Sequence, residues 1–552
     1  MDKAAIDHAV ALGVSTLRAA QADDGHFAEA CDLGPRFTAH WLAIEAFLGG
    51  LSPSDRDAGV AALLSLQLED GGWGPCPAAT VSEASATAAC RVALRHCGLP
   101  GDHPAARRAD TWLAANGGLA AADAESRPLL AFTGDLSPDE VGAPPGEILL
   151  LPDLPHLVAK VFVAEVIVTM YATAGLVLGL KHRREMPSLL HPLDHAAARR
   201  VLEFLDETRN PVGGTWLGVF PSTAMAVVAL LALGVPPSDP RVVEGRAALA
   251  SRVNRTGRFF VAPISSEIWA TCTGLSALVS AGVPAADPAV QRGVAFLLGQ
   301  EIRRPVPTIF TTPPSSPAIQ SGWPFETDNQ YGPDCDCTAM VIRTLHHVAL
   351  PGQTPVFEAV ERGLGWLLSM QNPDGGWPAF SWGHASKPPG VVMTEPPPDP
   401  RTVWSAISMI TDPPLGLGDP STEALTGRVL TALAQLGLDG SHPAVQRAVV
   451  FLREQQAAPG RWWGRWDCNF TAPTAAVVRG LAAVGQGGAL VDDAAAWLYA
   501  CQGAGGGWGE LPDSYAHPER FRIGPPTPTQ TALVLQGLVA TGRGNDAEAR
   551  RA

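Results

Sequence analysis

The chain is short of positive charge: 39 Lys and Arg stand against 54 Asp and Glu, a formal net charge of −15. That balance excludes a nucleic-acid partner as an expectation, because phosphate binding calls for a basic face. Nine cysteines, at positions 31, 76, 90, 97, 272, 335, 337, 468 and 501, form no paired framework in so long a chain. Free thiols in a reducing compartment are expected. Alternating apolar and polar runs are almost absent, which removes a β-rich fold. Charged residues are only 17% of the 552, against 46% hydrophobic, a globular composition. The length exceeds one ordinary core, so two domains are expected. Met1–Ala5 lacks a secretion-signal pattern. The longest apolar stretch, residues 157–180, contains Lys160 and Glu165, charges that would be costly at bilayer depth. It reads as a buried helix, and the chain as soluble and cytoplasmic.

What the sequence does have is a repeat. A Gln-x3-Gly-x-Trp unit occurs at Gln67/Gly71/Trp73, Gln371/Gly375/Trp377, Gln456/Gly460/Trp462 and Gln502/Gly506/Trp508. Weaker copies are Gln21/Gly25/Phe27 and Asn210/Gly214/Trp216. Most follow an apolar helical segment, so the glycine ends a helix where left-handed backbone is wanted. The Gln is placed to cap a neighbouring helix end while the indole packs over it. Pro-rich breaks separate further helices. The fold class read from this is all-α, with helical hairpins stacked into closed α/α barrels; an open helical solenoid used for protein binding fits the repeats equally well. Pro-rich loops at 304–317, 388–400 and 522–528 read as surface excursions around a cavity mouth.

One segment carries chemistry. Asp334-Cys335-Asp336-Cys337-Thr338-Ala339 follows a turn at Tyr331-Gly332-Pro333 and precedes the apolar run Met340, Val341, Leu345, Val348. An acid at a helix entrance can be held protonated and aimed into a cavity, as protonation of a carbon–carbon double bond requires. A plain helix cap would need one Asp and leaves the second unexplained. Zinc is not expected: the Cys and Asp alternate, no Cys-x2-Cys is present, and His346 and His347 are adjacent.

With these residues in hand, the chain resembles the class II terpene cyclases, which include squalene–hopene cyclases and the two-domain cyclases that make copalyl-type diphosphates. Asp334-x-Asp336-x-Thr338-Ala339 takes the place of that superfamily's Asp-x-Asp-Asp-Thr-Ala acid motif. The resemblance implies two α/α barrels in a βγ arrangement. One would comprise residues 1–22 and 266–552 and carry the acid, and the other, 23–265, would be inserted. Asp336 would be the general acid, supported by Asp334 and Cys337, where Cys337 replaces the Asp usual at the motif's fourth position. Arg428 falls where squalene–hopene cyclases have a supporting His, and Ala472 where they have a tyrosine near termination.

By family position Trp269, Phe325 and Phe380 would line the cavity. Trp377, Trp404 and Trp466 are further aromatic faces able to stabilise cations. Asp336-Cys-Thr-Ala-Met340-Val-Ile-Arg343, Pro221-Ser222-Thr223-Ala224 and Glu267-Ile268-Trp269 resemble the diphosphate-using branch, whereas Trp323-Pro-Phe325 and Gly464-Arg465-Trp466 resemble squalene cyclases. The latter also run further at the C-terminus, by about one or two repeats, which suggests a shorter substrate here.

The resemblance therefore implies cyclisation of geranylgeranyl or farnesyl diphosphate, with Mg²⁺ and basic groups such as Lys181–Arg184 or Arg343 holding the diphosphate. Glu69-Asp70 is a candidate metal contact. The alternatives are a squalene-type or aryl-polyprene cyclase without metal, and a noncatalytic scaffold. An isoprenoid small molecule is the implied partner, with room for weak peripheral membrane contact; oligomeric state is left open.

Overall fold

The computed structural model describes residues 3–184, 192–307, 309–327, 329–384, 386, 417–515, 518–521 and 524–552. Among them nearly every element is a helix; one antiparallel hairpin pairs Val253–Asn254 with Phe260–Val261. The helices alternate between two kinds. Inner ones are buried almost all round: Phe220–Ala232 buries every residue except Pro221. Each packs against its inner neighbour, as Glu423–Gln435 does against Thr471–Ala483. Outer partners are amphipathic and bury a single stripe, as in Pro443–Glu454, where Ala444, Val445, Ala448, Val449 and Leu452 face inward.

The outer helices share a start signal legible in the chain. Ser52, His103, Asp239, Asp287 and His442 each cap a helix whose first residue is proline. The side chain accepts a backbone N–H, and proline's missing donor costs nothing at that position.

The architecture is all-α, two barrel halves with separate cores. One core runs from Phe37 to Val261 and takes in Ile309 and Phe310. The other gathers Phe27 with residues from Ile268 to Ala494, and a small cluster around Trp508 closes the C-terminal end. Helix Lys3–Ala20 packs on Glu267–Ser280, and Arg18 is paired with Asp287 at 2.6 Å.

The repeat is a double lock. Gln371 Nε2 donates to Gly375 O and to Ala444 O, both at 2.8 Å, so it reaches the first turn of the next outer helix. Gln67 does the same with Gly71 O and Ala105 O, and Gln502 with Gly506 O and Glu548 O. The expectation of a cap is thereby refined: the amide meets a helix beginning and donates to its carbonyl. Trp73, Trp377, Trp462 and Trp508 turn their Nε1–H back to the helix before them, to Leu63, Leu367, Leu452 and Leu498 O. Gly375 has φ 93°, and a Cβ there would stand 2.4 Å from Arg447 O, so only glycine fits the joint.

The apolar stretch around 157–180 forms helix Ala164–Arg184. It is long and apolar enough to cross a membrane by length and composition alone, and 56% of its Ala164–Lys181 window is buried inside the protein. It packs against Phe220–Ala232 and Pro192–Thr208. Of the proline-rich loops, 388–400 lies outside the described residues. The 304–317 loop is more than a surface excursion, because Ile309 and Phe310 are buried.

Candidate active site

Asp334 and Asp336 have different jobs. Asp334 is the N-cap of helix Cys335–Val348, its Oδ1 accepting the Cys337 N–H at 2.7 Å. The cap reading thus holds for the first acid of the pair. Asp336 sits inside the first turn, only 8% exposed, and what it exposes borders a chamber of about 210 Å³. Asp334 borders the same chamber.

Arg428 holds Asp336. Its Nε donates to Oδ1 at 2.8 Å and to Oδ2 at 2.9 Å, and its Nη2 to Oδ2 at 2.6 Å. The remaining fork, Nη1, goes to Asp467 Oδ2 at 2.9 Å. Two carboxyl groups, Asp336 and Asp467, therefore share one guanidinium, and a third, Asp334, lies close enough to Asp336 to act on its charge. Ionising all of them away from water would leave uncompensated negative charge, so the cluster retains a proton.

The shifts follow that logic. Burial, reinforced by Asp336, pushes Asp334 up to about 8 against the opposing Cys337 N–H. Burial also raises Asp336, while Arg428 pulls the other way. A neutral carboxylic acid next to a cation combines what the chemistry needs: a proton present at the start, and a conjugate base stabilised after it leaves.

Aromatic faces complete the walls. Trp269, Phe310, Phe325, Phe380 and Trp466 all border the chamber. Trp466, 47% exposed, is one of the residues that border the chamber. Phe380 and Trp466 meet edge-to-face, centroids 6.1 Å apart. The Arg428 guanidinium lies 5.5 Å from the Trp269 ring centroid.

Two of the sequence candidates are elsewhere. Trp377 is fully buried as a repeat lock, its backbone N–H on Thr426 Oγ1, and is not among the chamber's walls. Cys337 is fully buried in the second core, its thiol pushed well up by burial, and contributes its backbone N–H to the site. Trp404 lies outside the described residues. Ala472 and Cys468 do not border the chamber either.

Four acids escaped the sequence reading. Asp467 shares Arg428 with Asp336. Asp419 is fully buried and accepts backbone N–H groups from Ala379, Phe380 and Ser381 at 3.1, 2.6 and 2.8 Å, fixing the wall that carries Phe380. Glu326 borders the chamber, bonded to Arg252 Nη2 and the Ser265 N–H, both at 2.9 Å. Burial pushes it up to about 8 despite Arg252. Glu165 borders the chamber from the other barrel half, in the first turn of helix Ala164–Arg184. The signal for Asp467 was its place between Trp466 and Cys468; the others had none beyond being acids in apolar surroundings.

Of the groups expected to hold a diphosphate and its metal, Lys181 and Asp70 are engaged elsewhere. Among the described residues the chamber is walled by Glu165, Glu326, Asn329, Asp334 and Asp336 as its polar groups, with no basic side chain. Lys181 instead pairs with Asp139 at 2.8 Å. Asp70 spends its oxygens on the Gly72 N–H, Ser82 and the Trp112 Nε1–H. Among the described residues no three His, Cys, Asp or Glu side chains are grouped to hold a metal ion. A Mg²⁺ site therefore does not fit the residues described.

The comparisons agree with this geometry. The sequence model of the squalene-hopene cyclase C-terminal domain matches residues 265–552, and that of the N-terminal domain residues 10–162. This chain belongs to the squalene–hopene cyclase family, within the class II terpene cyclases. It is 29% identical to the squalene–hopene cyclase of Alicyclobacillus acidocaldarius, over 89% of this chain and 81% of that one. It is 28% identical to a terpene cyclase–glycosyl transferase fusion protein of Humicola fuscoatra, covering 94% of this chain but 44% of the fusion. Among solved structures it is similar to ent-copalyl diphosphate synthase from Arabidopsis thaliana, at 13% identity and a TM-score of 0.38, covering 80% of this chain and 51% of that one. Residues 163–264 fall between the two matched family domains.

Proposed function

We propose that this chain cyclises a linear, uncharged polyprene, squalene or an aryl-polyprene, by protonating a terminal double bond from Asp336. The observation that carries the reading is a buried Asp336, held by Arg428, at the edge of an apolar, aromatic-walled chamber that presents no basic side chain among the described residues. An alkene is a weak base, and Arg428 makes proton loss from Asp336 less costly by stabilising the carboxylate left behind. The developing cation then meets π faces rather than nucleophiles.

The two barrel halves both supply walls, so the chain would lie between them. A second, apolar cavity of about 350 Å³ sits behind the 158–166 segment, adjacent space for a longer chain. The relatives named squalene–hopene cyclases support the same reading. The diphosphate-using reading, first in the sequence, has less behind it: a diphosphate in this chamber would face five polar walls, four of them acids.

The test is purified protein with squalene, with a geranylgeranyl-substituted phenol, and with geranylgeranyl diphosphate with and without Mg²⁺, each beside D336N. Cyclised uncharged product, lowered by at least about 10³-fold in D336N, is expected. Turnover confined to the diphosphate with Mg²⁺ would overturn the proposal in favour of the diphosphate reading. Inertness toward every polyprene would return the chain to a scaffold.

A further inference from the structure

Five polar side chains border the chamber, and four are engaged. Asp336 is held by Arg428, Asp334 caps its helix, Glu326 is tied to Arg252 and Ser265, and Asn329 Oδ1 accepts the Tyr331 N–H at 3.0 Å. Glu165 is different. Among the described residues no hydrogen bond or ion pair reaches its carboxyl, and only its backbone oxygen is used, by Thr169 Oγ1 at 2.8 Å. An interior carboxyl group is costly to leave unmatched, so its persistence facing an apolar chamber calls for an explanation.

Its position supplies one. Asp336 enters the chamber from the second barrel half and Glu165 from the first, each from the opening turn of a helix. Resting on the cyclase reading above, we propose that Glu165 is the base that ends the cascade. Asp336 donates its proton to one carbon of the first double bond, forming a C–H bond and a tertiary cation. Ring closures carry the cation along the chain. Glu165 then removes a proton from the carbon beside the last cation, and that C–H electron pair becomes the double bond of the product. Asp336 is left ionised and Glu165 protonated. One proton leaves Glu165 for water and another returns from water to Asp336, so substrate and product are isomers and the enzyme is restored.

Two further observations fit. Burial and nearby Glu125 push Glu165 up to about 7, with Arg465 opposing, whereas the positive end of helix Ala164–Arg184 favours its carboxylate. A base poised near neutrality is well matched to proton removal. Glu165 also lies outside both matched family domains, in residues 163–264.

The experiment compares wild type, E165Q, E165D and D336N with squalene and the geranylgeranyl-substituted phenol, reading turnover, the ratio of double-bond isomers to water-quenched alcohols, and Tm. E165Q should lower turnover on the order of 10²-fold, the low end for loss of a base. Its residual product should shift toward other alkene isomers and alcohols at unchanged Tm. E165D should restore the wild-type product mix in part. An unchanged product ratio in E165Q, or a loss explained by a lowered Tm that E165D shares, overturns the role of Glu165 while leaving the acid intact. Wild type inert toward both substrates, or D336N as active as wild type, overturns the cyclase reading and Glu165 with it.

Discussion

The two barrel halves contain the same arrangement of charge with opposite consequences. In the first, Arg36 lies between Asp123 at 2.5 Å and Glu125 at 3.1 Å. In the second, Arg428 lies between Asp336 and Asp467. Both are one guanidinium shared by two acids beside a cavity. Asp123, however, is 41% exposed at its side chain and takes the Ser126 N–H at 2.8 Å. Its carboxyl is held below the usual range, with Arg36 opposing burial. Asp336 is 11% exposed at its side chain and has a third acid, Asp334, beside it. Water and a backbone donor keep Asp123 ionised beside Arg36, although burial raises Glu125. Dryness and an extra carboxyl make the second a store for a proton.

The comparison breaks most sharply at the acids themselves. D336N should abolish cyclisation, by at least about 10³-fold, and a polyprene turnover assay reads it. D123N should leave product chemistry alone and cost about 1 kcal/mol of stability, small because water reaches the pair; a denaturant melt reads that. Activity surviving in D336N would mean that the proton comes from elsewhere.

The arginines come next. R428Q removes the cation that lowers the pKa of Asp336, so the acid weakens and turnover should fall about 10²-fold. R36Q should change turnover little. Equal losses in the two variants would show that the clusters differ only in address.

Acidity sharpens the contrast further. Asp334 rises from 3.8 to about 8 on folding. Below 3.8 both states hold the proton. Above it the unfolded chain has lost the proton that the folded chain keeps, so stability declines with rising pH until about 8. Asn caps a helix as well as Asp does, so D334N removes the titration and keeps the bond to Cys337. Tm should fall less between pH 5 and 8 in D334N than in wild type, within about a unit of the shift behind it. Glu326 carries the same sign, so some slope stays. Turnover, which needs Asp336 protonated, should decline as the pH rises. Identical slopes in wild type and D334N would remove the proton from Asp334.

The smallest effect separates the repeats. Gln371 is buried and Gln67 partly so. Q371A should cost about 1–3 kcal/mol, leaving Ala444 and Gly375 carbonyls unpaired, and Q67A about 1 kcal/mol. Thermal melts of the two variants read the difference.

The fold was legible because its signals are local. Cap-proline starts, glycine joints and apolar spacing all act within one hairpin. The acid was legible for the same reason: Asp334 to Thr338 is a single turn. Trp377 and Trp466 show where legibility ends. Repeat membership alone separates them, since the repeat indoles Trp73, Trp216, Trp377, Trp462 and Trp508 are fully buried locks, while Trp269 and Trp466, outside any repeat, wall the chamber. Trp323, with its Nε1–H on Leu297 O, is a lock hidden by the long insertion before it.

What remained illegible is what contact across the chain creates. Arg428 is 92 positions from Asp336 and Asp467 a further 39, and nothing in the spacing joins them. Glu165 was visible only as an objection to a membrane span. The residue that argued against burial in lipid is one that the protein keeps in its own oily interior.

The locks at Gln67, Gln371 and Gln502, with their tryptophans, fasten hairpins to their neighbours along the periphery, on backbone carbonyls that any side chain would offer. Joints of this kind are indifferent to what the inner helices display. Substitutions on those inner faces can accumulate without loosening these joints, so one scaffold can be re-lined while its periphery stays fastened.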